Sequence, residues 1–281
     1  MPRPGQAEPA RGLKVVALGE RARRALGRSG GIAKPLQGFD RAPYYAAGSE
    51  IVWIGTRVPA MHPRVVVTRT SPPQGLPFRL AEVPSGGWSA RLPRLDNGTI
   101  GKVMARAEAL RAALVASETP RGFGSRLAAI SPSFPLDLAN PQVDALARAF
   151  ERDDAGAALK PARALLGVGA GLTPSGDDLV GGALFGRRWI APEDRRWADL
   201  AHRLAREIRT RSHAVSAALF ADLAAGCSFA PLHETADALA AGDSKSALAA
   251  ARTLAAIGHS SGWDMLAGFF IGVRRIRARR S

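Results

Sequence analysis

The chain of 281 residues has one cysteine, Cys227. An intrachain disulfide and a cysteine-rich metal site are therefore excluded, and a reducing cytoplasm is the expected compartment. Lysine is scarce, five of the 39 basic residues, so the net charge of +15 is carried by arginine. No helix-turn-helix, zinc-finger or RNA-binding aromatic signature accompanies that charge. We read it as arginine on ordinary solvated faces and expect no nucleic-acid partner. The dense run Arg274–Arg280 reads as a solvated helix end that complements the helix dipole. No apolar run reaches the roughly 18 residues of a membrane span, so no membrane partner is expected. The first 12 residues lack the apolar stretch of a signal peptide and read as a disordered tail. There is no G-x4-G-K-[ST] loop and no H-E-x-x-H or H-x-E, and Ser175 does not stand in a G-x-S-x-G. A Walker loop, a zinc centre and a hydrolase nucleophile elbow are thus unsupported.

What is present divides near residue 98. Before it, short β-rich runs alternate with Gly/Pro turns. Val15–Leu18, Glu50–Ile54, Arg64–Thr68, Phe78–Val83 and Trp88–Leu92 read as strands, and Arg21–Leu26 as a short helix. After it, alanine is abundant and apolar residues recur at helical spacing. Helices are expected over 100–115, 142–152, 155–166, 176–189, 192–210, 212–225, 232–240, 244–257 and 262–279. The expected fold is α+β: a small β-rich, sheet or barrel-like domain over 13–98, then an all-helical domain over 99–281.

One motif, S-G-x-D-x3-G-x3-G, occurs twice, at 175–186 and 261–272. The two copies stand 86 residues apart. A glycine-rich loop, Gly167–Pro174, precedes the first, and Gly258-His259-Ser260 precedes the second. Each copy puts a polar cluster where a helix begins, the usual place for backbone N–H groups to hold an anion. A structural account is also open. Ser175 with Asp178, and Ser261 with Asp264, have capping-box spacing, and glycines four apart let two helix backbones approach. That account leaves Asp177 and the loop glycines unexplained. Glycines are needed where φ is positive or a ligand nears the backbone.

Carboxylates at a helix start repel phosphate. Mg²⁺ bridging carboxylate and phosphate would resolve this, as would an arginine. A substrate whose N–H2 end meets the carboxylates while its anionic end meets backbone N–H groups is a third solution. Thr210–Ser216 adds Arg211, His213 and Ser216 at another helix start. Arg211 is suited to clamp an anion, and His213 and His259 to move protons. His62, His202 and His233 read as ordinary surface residues. If the two copies serve one site, their helix starts should lie within about 15 Å of one another, the reach of a small ligand.

The run Gly169–Asp178, with Gly258–Asp264, resembles the AllH-type proteins, and Thr210–Gly226 fits the same family. The resemblance implies a subunit of an oxamate carbamoyltransferase of allantoin and purine degradation. That enzyme interconverts oxalurate plus phosphate with oxamate plus carbamoyl phosphate. The implied partners are an acyl-CoA-synthetase-like subunit and a second carbamoyltransferase subunit. No residue role is carried over from the family. From the motif we assign Asp178, Asp264, His213 and Arg211 to catalysis. Substrate or phosphate binding is assigned to Gly169, Gly171, Thr173, Ser175, Gly176, Asp177, Ser216, His259, Ser260, Ser261 and Gly262. No metal ligand is assigned; Mg²⁺ is the one cofactor considered. The alternative is a non-catalytic assembly or small-anion-binding subunit.

Overall fold

The computed structural model describes residues 10–36, 43–73, 75–89 and 91–274. Two compact units result, Met1–Ala90 and Arg91–Ser281. The fold is α+β, a nearly closed, barrel-like seven-stranded sheet followed by a helical region.

In the first unit the strands are β1 (Ala10–Leu13), β2 (Val15–Leu18), β3 (Ile32–Pro35), β4 (Tyr44–Ala47), β5 (Glu50–Gly55), β6 (Val65–Thr68) and β7 (Phe78–Leu80), with helix α1 (Glu20–Arg28) after β2. Their order across the sheet is β1-β7-β3-β4-β5-β6-β2. β1 and β2 are separated by one residue, Lys14, yet occupy opposite edges, so the sheet must curl back toward itself. Inward residues of alternating strands, among them Val52, Ile54, Val66 and Phe78, pack against Ala22, Ala25 and Leu26 of α1. This is the period-2 and period-3.6 patterning expected of a sheet covered by one helix.

Three expectations are corrected here. Residues 10–12 of the supposed tail form most of β1, which pairs in parallel with β7; residues 1–9 lie outside the described residues. Trp88–Leu92 is no strand and contributes only an isolated bridge from Trp88 to Gly19. β3 and β4 were not foreseen, because Pro35 and the Ala-rich β4 lack β-branched runs.

The helices of the second unit are α2 (Asn97–Ser117), α3 (Asn140–Glu151), α4 (Ala155–Leu165), α5 (Ser175–Ile190), α6 (Arg195–Glu207), α7 (Ala214–Ala224), α8 (Ala230–Ala241), α9 (Ser244–Ala255) and α10 (Ser261–Gly272). Short 3₁₀ turns cover Gly122–Ala128, Leu136–Ala139 and Ile208–Thr210. α5 and α10 are buried on nearly all sides, as a helix apolar around its whole circumference must be. Among the described residues no helix is long and apolar enough to cross a membrane. Arginine is not confined to solvated faces. Arg187 is fully buried against the rings of Phe150 and Trp197 and donates to the Phe150 carbonyl at 2.7 Å. The run after Arg274 lies outside the described residues.

α5 and α10 meet through the motif glycines, related by a pseudo-two-fold. A Cβ on Gly182 would collide with the Met265 carbonyl, and one on Gly268 with the equivalent Leu179 carbonyl. Gly186 faces the Phe269 carbonyl, and Gly272 faces that of Ala183. The symmetry extends upstream, beyond the motif. Asp154 and Asp243 stand 89 residues apart, as do Ala158 and Ala247, Ala162 and Ala251, Leu165 and Leu254, and Gly169 and Gly258. Asp154 caps α4 through the Ala157 N–H, and Asp243 caps α9 through that of Ser246. Arg163 of α4 binds Glu207 at the end of α6, and Arg252 of α9 binds Glu118 at the end of α2. The repeat is therefore a multi-helix unit in which α2 serves the second copy as α6 serves the first.

Candidate functional site

The pseudo-two-fold brings the two helix starts together. The hydroxyls of Thr173 and Ser261 lie 2.8 Å apart, and those of Ser175 and Ser260 lie 3.4 Å apart. Both copies therefore contribute to one cluster. Ser175 and Ser261 are not caps. The N-cap positions are Pro174 and Ser260, and neither makes a side-chain capping bond. The hydroxyls reach across instead. The Ser261 and Thr173 hydroxyls favour the charged form of the Asp178 carboxyl, and those of Ser175 and Ser260 favour that of Asp264.

Asp178 and Asp264 form the floor of this cluster, 4% and 0% exposed. Asp264 Oδ1 accepts from the Phe123 N–H at 2.7 Å. The Oδ2 atoms of both aspartates are buried and have no hydrogen-bond partner. Burial pushes the Asp264 carboxyl up to about 7 against the hydroxyls and the Phe123 N–H that favour its charge. Asp178 is raised well above the ordinary range, first by burial and then by the charge of Asp264. Two buried like charges disfavour each other's ionised form.

Asp177, at the position equivalent to Trp263, does something else. It accepts from the Gly167 N–H at 2.8 Å, from the Ser216 hydroxyl at 2.6 Å and from the Ser212 hydroxyl. It ties the glycine loop to the start of α7, and its acceptors are used by the protein itself. Ser216, also assigned to binding, is spent on the same bond. Trp263 packs instead on Gly124.

Several helix-start amides are spent as well. Gly176 N–H donates to the Val168 carbonyl, and Gly262 N–H to the equivalent Ile257 carbonyl. Asp177 and Asp178 N–H both donate to Pro174, and Asp264 N–H to Ser260. Neither Gly176 nor Gly262 has room for a Cβ, since the carbonyls of Leu165 and Leu254 press against them. These amides are thus taken by the protein's own carbonyls, while among the described residues no backbone carbonyl accepts from those of Ser175, Ser261 or Trp263. Among the described residues, no backbone carbonyl accepts from the amides of Gly169, Ala170, Gly171, Leu172 or Thr173. Gly167, Gly169 and Gly171 have positive φ, at 80°, 115° and 95°. Alternating backbone of that kind turns successive N–H groups toward a common point.

Arg211, His213 and His259 are exposed. The Arg211 carbonyl abuts Gly167. His213 is the N-cap residue of α7, and His259 lies between Gly258 and Ser260. Two residues escaped sequence reasoning. Gly122, with φ of 55°, leaves no space for a side chain beside Asp264 and Ser260. Exposed Arg121 precedes it and follows α2 much as Arg211 follows α6. Only the multi-helix repeat would have pointed to them. Among the described residues no group of three or more His, Cys, Asp or Glu is gathered for a metal.

No curated protein matches this chain, and no solved structure does. Residues 165–273, the stretch that holds both motifs and both aspartates, match the family model described as oxamate carbamoyltransferase subunit AllH, and over that stretch the chain is similar to that family.

Proposed function

We propose that this chain is a subunit of a carbamoyltransferase that interconverts oxalurate plus phosphate with oxamate plus carbamoyl phosphate. The observation that carries the reading is the pairing of Asp178 and Asp264, two equivalent carboxyls held in one buried cluster with one oxygen of each left unpartnered. Burial without partners is costly, and arrangements of this kind concentrate at functional sites. The free amides of Gly169–Thr173 suit the phosphate, and Arg211 with Arg121 suits the carboxylate of oxamate. In the oxamate-consuming direction the oxamate nitrogen attacks the carbamoyl carbon. The bond from that carbon to the phosphate oxygen breaks, its electron pair leaves with phosphate, and the nitrogen gives up a proton. Such a transfer needs chiefly positioning and charge stabilisation from the protein. Partner subunits complete the enzyme in this reading.

A second reading, a non-catalytic assembly subunit, draws on the interlocked glycines and the helix-start amides taken by the protein's own carbonyls, which are architecture. Calorimetry of the chain with carbamoyl phosphate, with inorganic phosphate as comparator, separates the two. Saturable binding tighter than phosphate and weakened in Gly171→Pro supports the first. Absence of binding both to the chain and to its complex with partner subunits overturns it in favour of the second.

A further inference from the structure

We infer that the Asp178–Asp264 cluster is a binding site for one divalent cation of the Mg²⁺ class, held between the two unpartnered carboxyl oxygens. The inference rests on the reading of this cluster as the functional site and names what occupies it. Three observations carry it. The Oδ2 atoms of both aspartates are buried and unpartnered, and the hydroxyls of the cluster pair with one another across the pseudo-two-fold. Buried polar atoms of native proteins are ordinarily satisfied by protein, water or an ion. Secondly, size selects the occupant. With Asp264 fully buried and Asp178 4% exposed, these oxygens are withdrawn from solvent, and a single ion is the smallest charged partner that two carboxyls can share. Thirdly, the donors are all oxygen: two carboxyls with the hydroxyls of Thr173, Ser175, Ser260 and Ser261 around them. Oxygen-only sets favour Mg²⁺, Mn²⁺ or Ca²⁺ over zinc or copper. Two ionised carboxylates balance one divalent charge, and the pseudo-two-fold supplies one from each copy.

The test is Mn²⁺ binding to the full chain after treatment with chelator, read by the loss of the free Mn²⁺ electron paramagnetic resonance signal, with Mg²⁺ and Ca²⁺ as competitors. One Mn²⁺ per chain is expected, displaced by Mg²⁺. Affinity should fall by about 100-fold in Asp178→Asn and in Asp264→Asn, since each removes a charged ligand. Thermal melting provides a second readout, with about 5 °C of stabilisation by saturating Mg²⁺ in the wild type and none in either variant. Asn is nearly isosteric and uncharged, so the variants should fold in chelator. Stoichiometric binding that survives in both variants, or no binding to the wild type, overturns the inference. Neither readout involves turnover. A chain that binds Mn²⁺ but supports no carbamoyl transfer in its complex keeps this inference and sinks the proposed function. An active complex whose chain binds no cation does the reverse.

Discussion

The two motif copies agree at some positions and part at others, and the pattern of difference separates chemistry from architecture. Both copies keep the serine, the glycines and one aspartate, and these meet across the pseudo-two-fold. They differ at the residue before that aspartate, Asp177 in one and Trp263 in the other. They also differ in loop length: Gly169 stands six residues before Ser175, Gly258 three before Ser261. The divergent position anchors each copy to its own neighbour, α7 for Asp177 and the Gly122–Ala128 turn for Trp263. The shared aspartates each leave an oxygen orphaned, although Asp264 also holds the Phe123 N–H through its other oxygen. The longer loop, found in the first copy alone, carries the run of free amides. Symmetry thus supplies the carboxyl pair, and its breakdown leaves the free amides on one side of it only.

The largest effect expected from breaking this symmetry lies at the helix crossing. Gly268→Ala drives a Cβ into the Leu179 carbonyl, where backbone on both sides cannot yield. It should cost at least about 3 kcal/mol, at or beyond the upper end for overpacking. Gly182→Ala, its equivalent, should cost as much. Gly101→Ala, with open space around it, should be neutral or stabilising by roughly 0.5–1 kcal/mol. Denaturant melts compare the three, and a mild Gly182→Ala would break the equivalence.

Next comes pH. Asp264 has its folded-state carboxyl raised to about 7, so the native state holds a proton that the unfolded chain releases near pH 4. The Asp264 contribution to stability in chelator should therefore be full below about pH 4 and fall as pH rises to about 7, and Asp178, raised in the same sense, adds to the decline. At about 1.4 kcal/mol per tenfold change in proton affinity, the Asp264 part of the fall is on the order of 4 kcal/mol. Glu20 and Glu207, lowered to about 2 by their arginines, act in the opposite sense but at more acidic pH. Asp264→Asn should lessen the decline between pH 4 and 7, and the double variant with Asp178→Asn should remove most of it. A wild-type profile flat across that range would contradict the buried pair.

Asp177→Ala sharpens the contrast between copies. It strands the Gly167 N–H and two serine hydroxyls, at a cost of roughly 2–3 kcal/mol for unsatisfied donors. The bonded amides of Gly167 and Val168 should then exchange their hydrogens faster, while the α10 side stays protected. Equal loss of protection on both sides would argue against separate anchors. The smallest difference is between equivalent ion pairs. Arg163–Glu207 is the less exposed and is doubly hydrogen-bonded, so removing it should cost about 1 kcal/mol, and Arg252–Glu118 less than about 0.5 kcal/mol. Double-mutant cycles measure both.

Much of this was legible from residues alone. The repeated S-G-x-D-x3-G-x3-G revealed the paired helices, the close glycine crossing and the two aspartates, because each depends on local spacing. The hydroxyl exchange between copies was not legible, since Ser175 and Ser261 also fit a capping box and only the crossing of α5 and α10 decides otherwise. Gly122 escaped for a similar reason. Its role beside Asp264 comes from a 3₁₀ turn 142 residues away in sequence. Asp177 read as part of the site because it adjoins Asp178, yet adjacent residues on a helix point about 100° apart and meet different neighbours.

The most direct test is turnover of the assembled carbamoyltransferase with Asp178→Asn, Asp264→Asn and the double variant, with assembly followed by size-exclusion chromatography. If the two aspartates act as a unit, each single variant should lose at least about 100-fold in kcat/KM with assembly intact, and the double variant should be little worse than either. Wild-type turnover in either single variant would contradict the account.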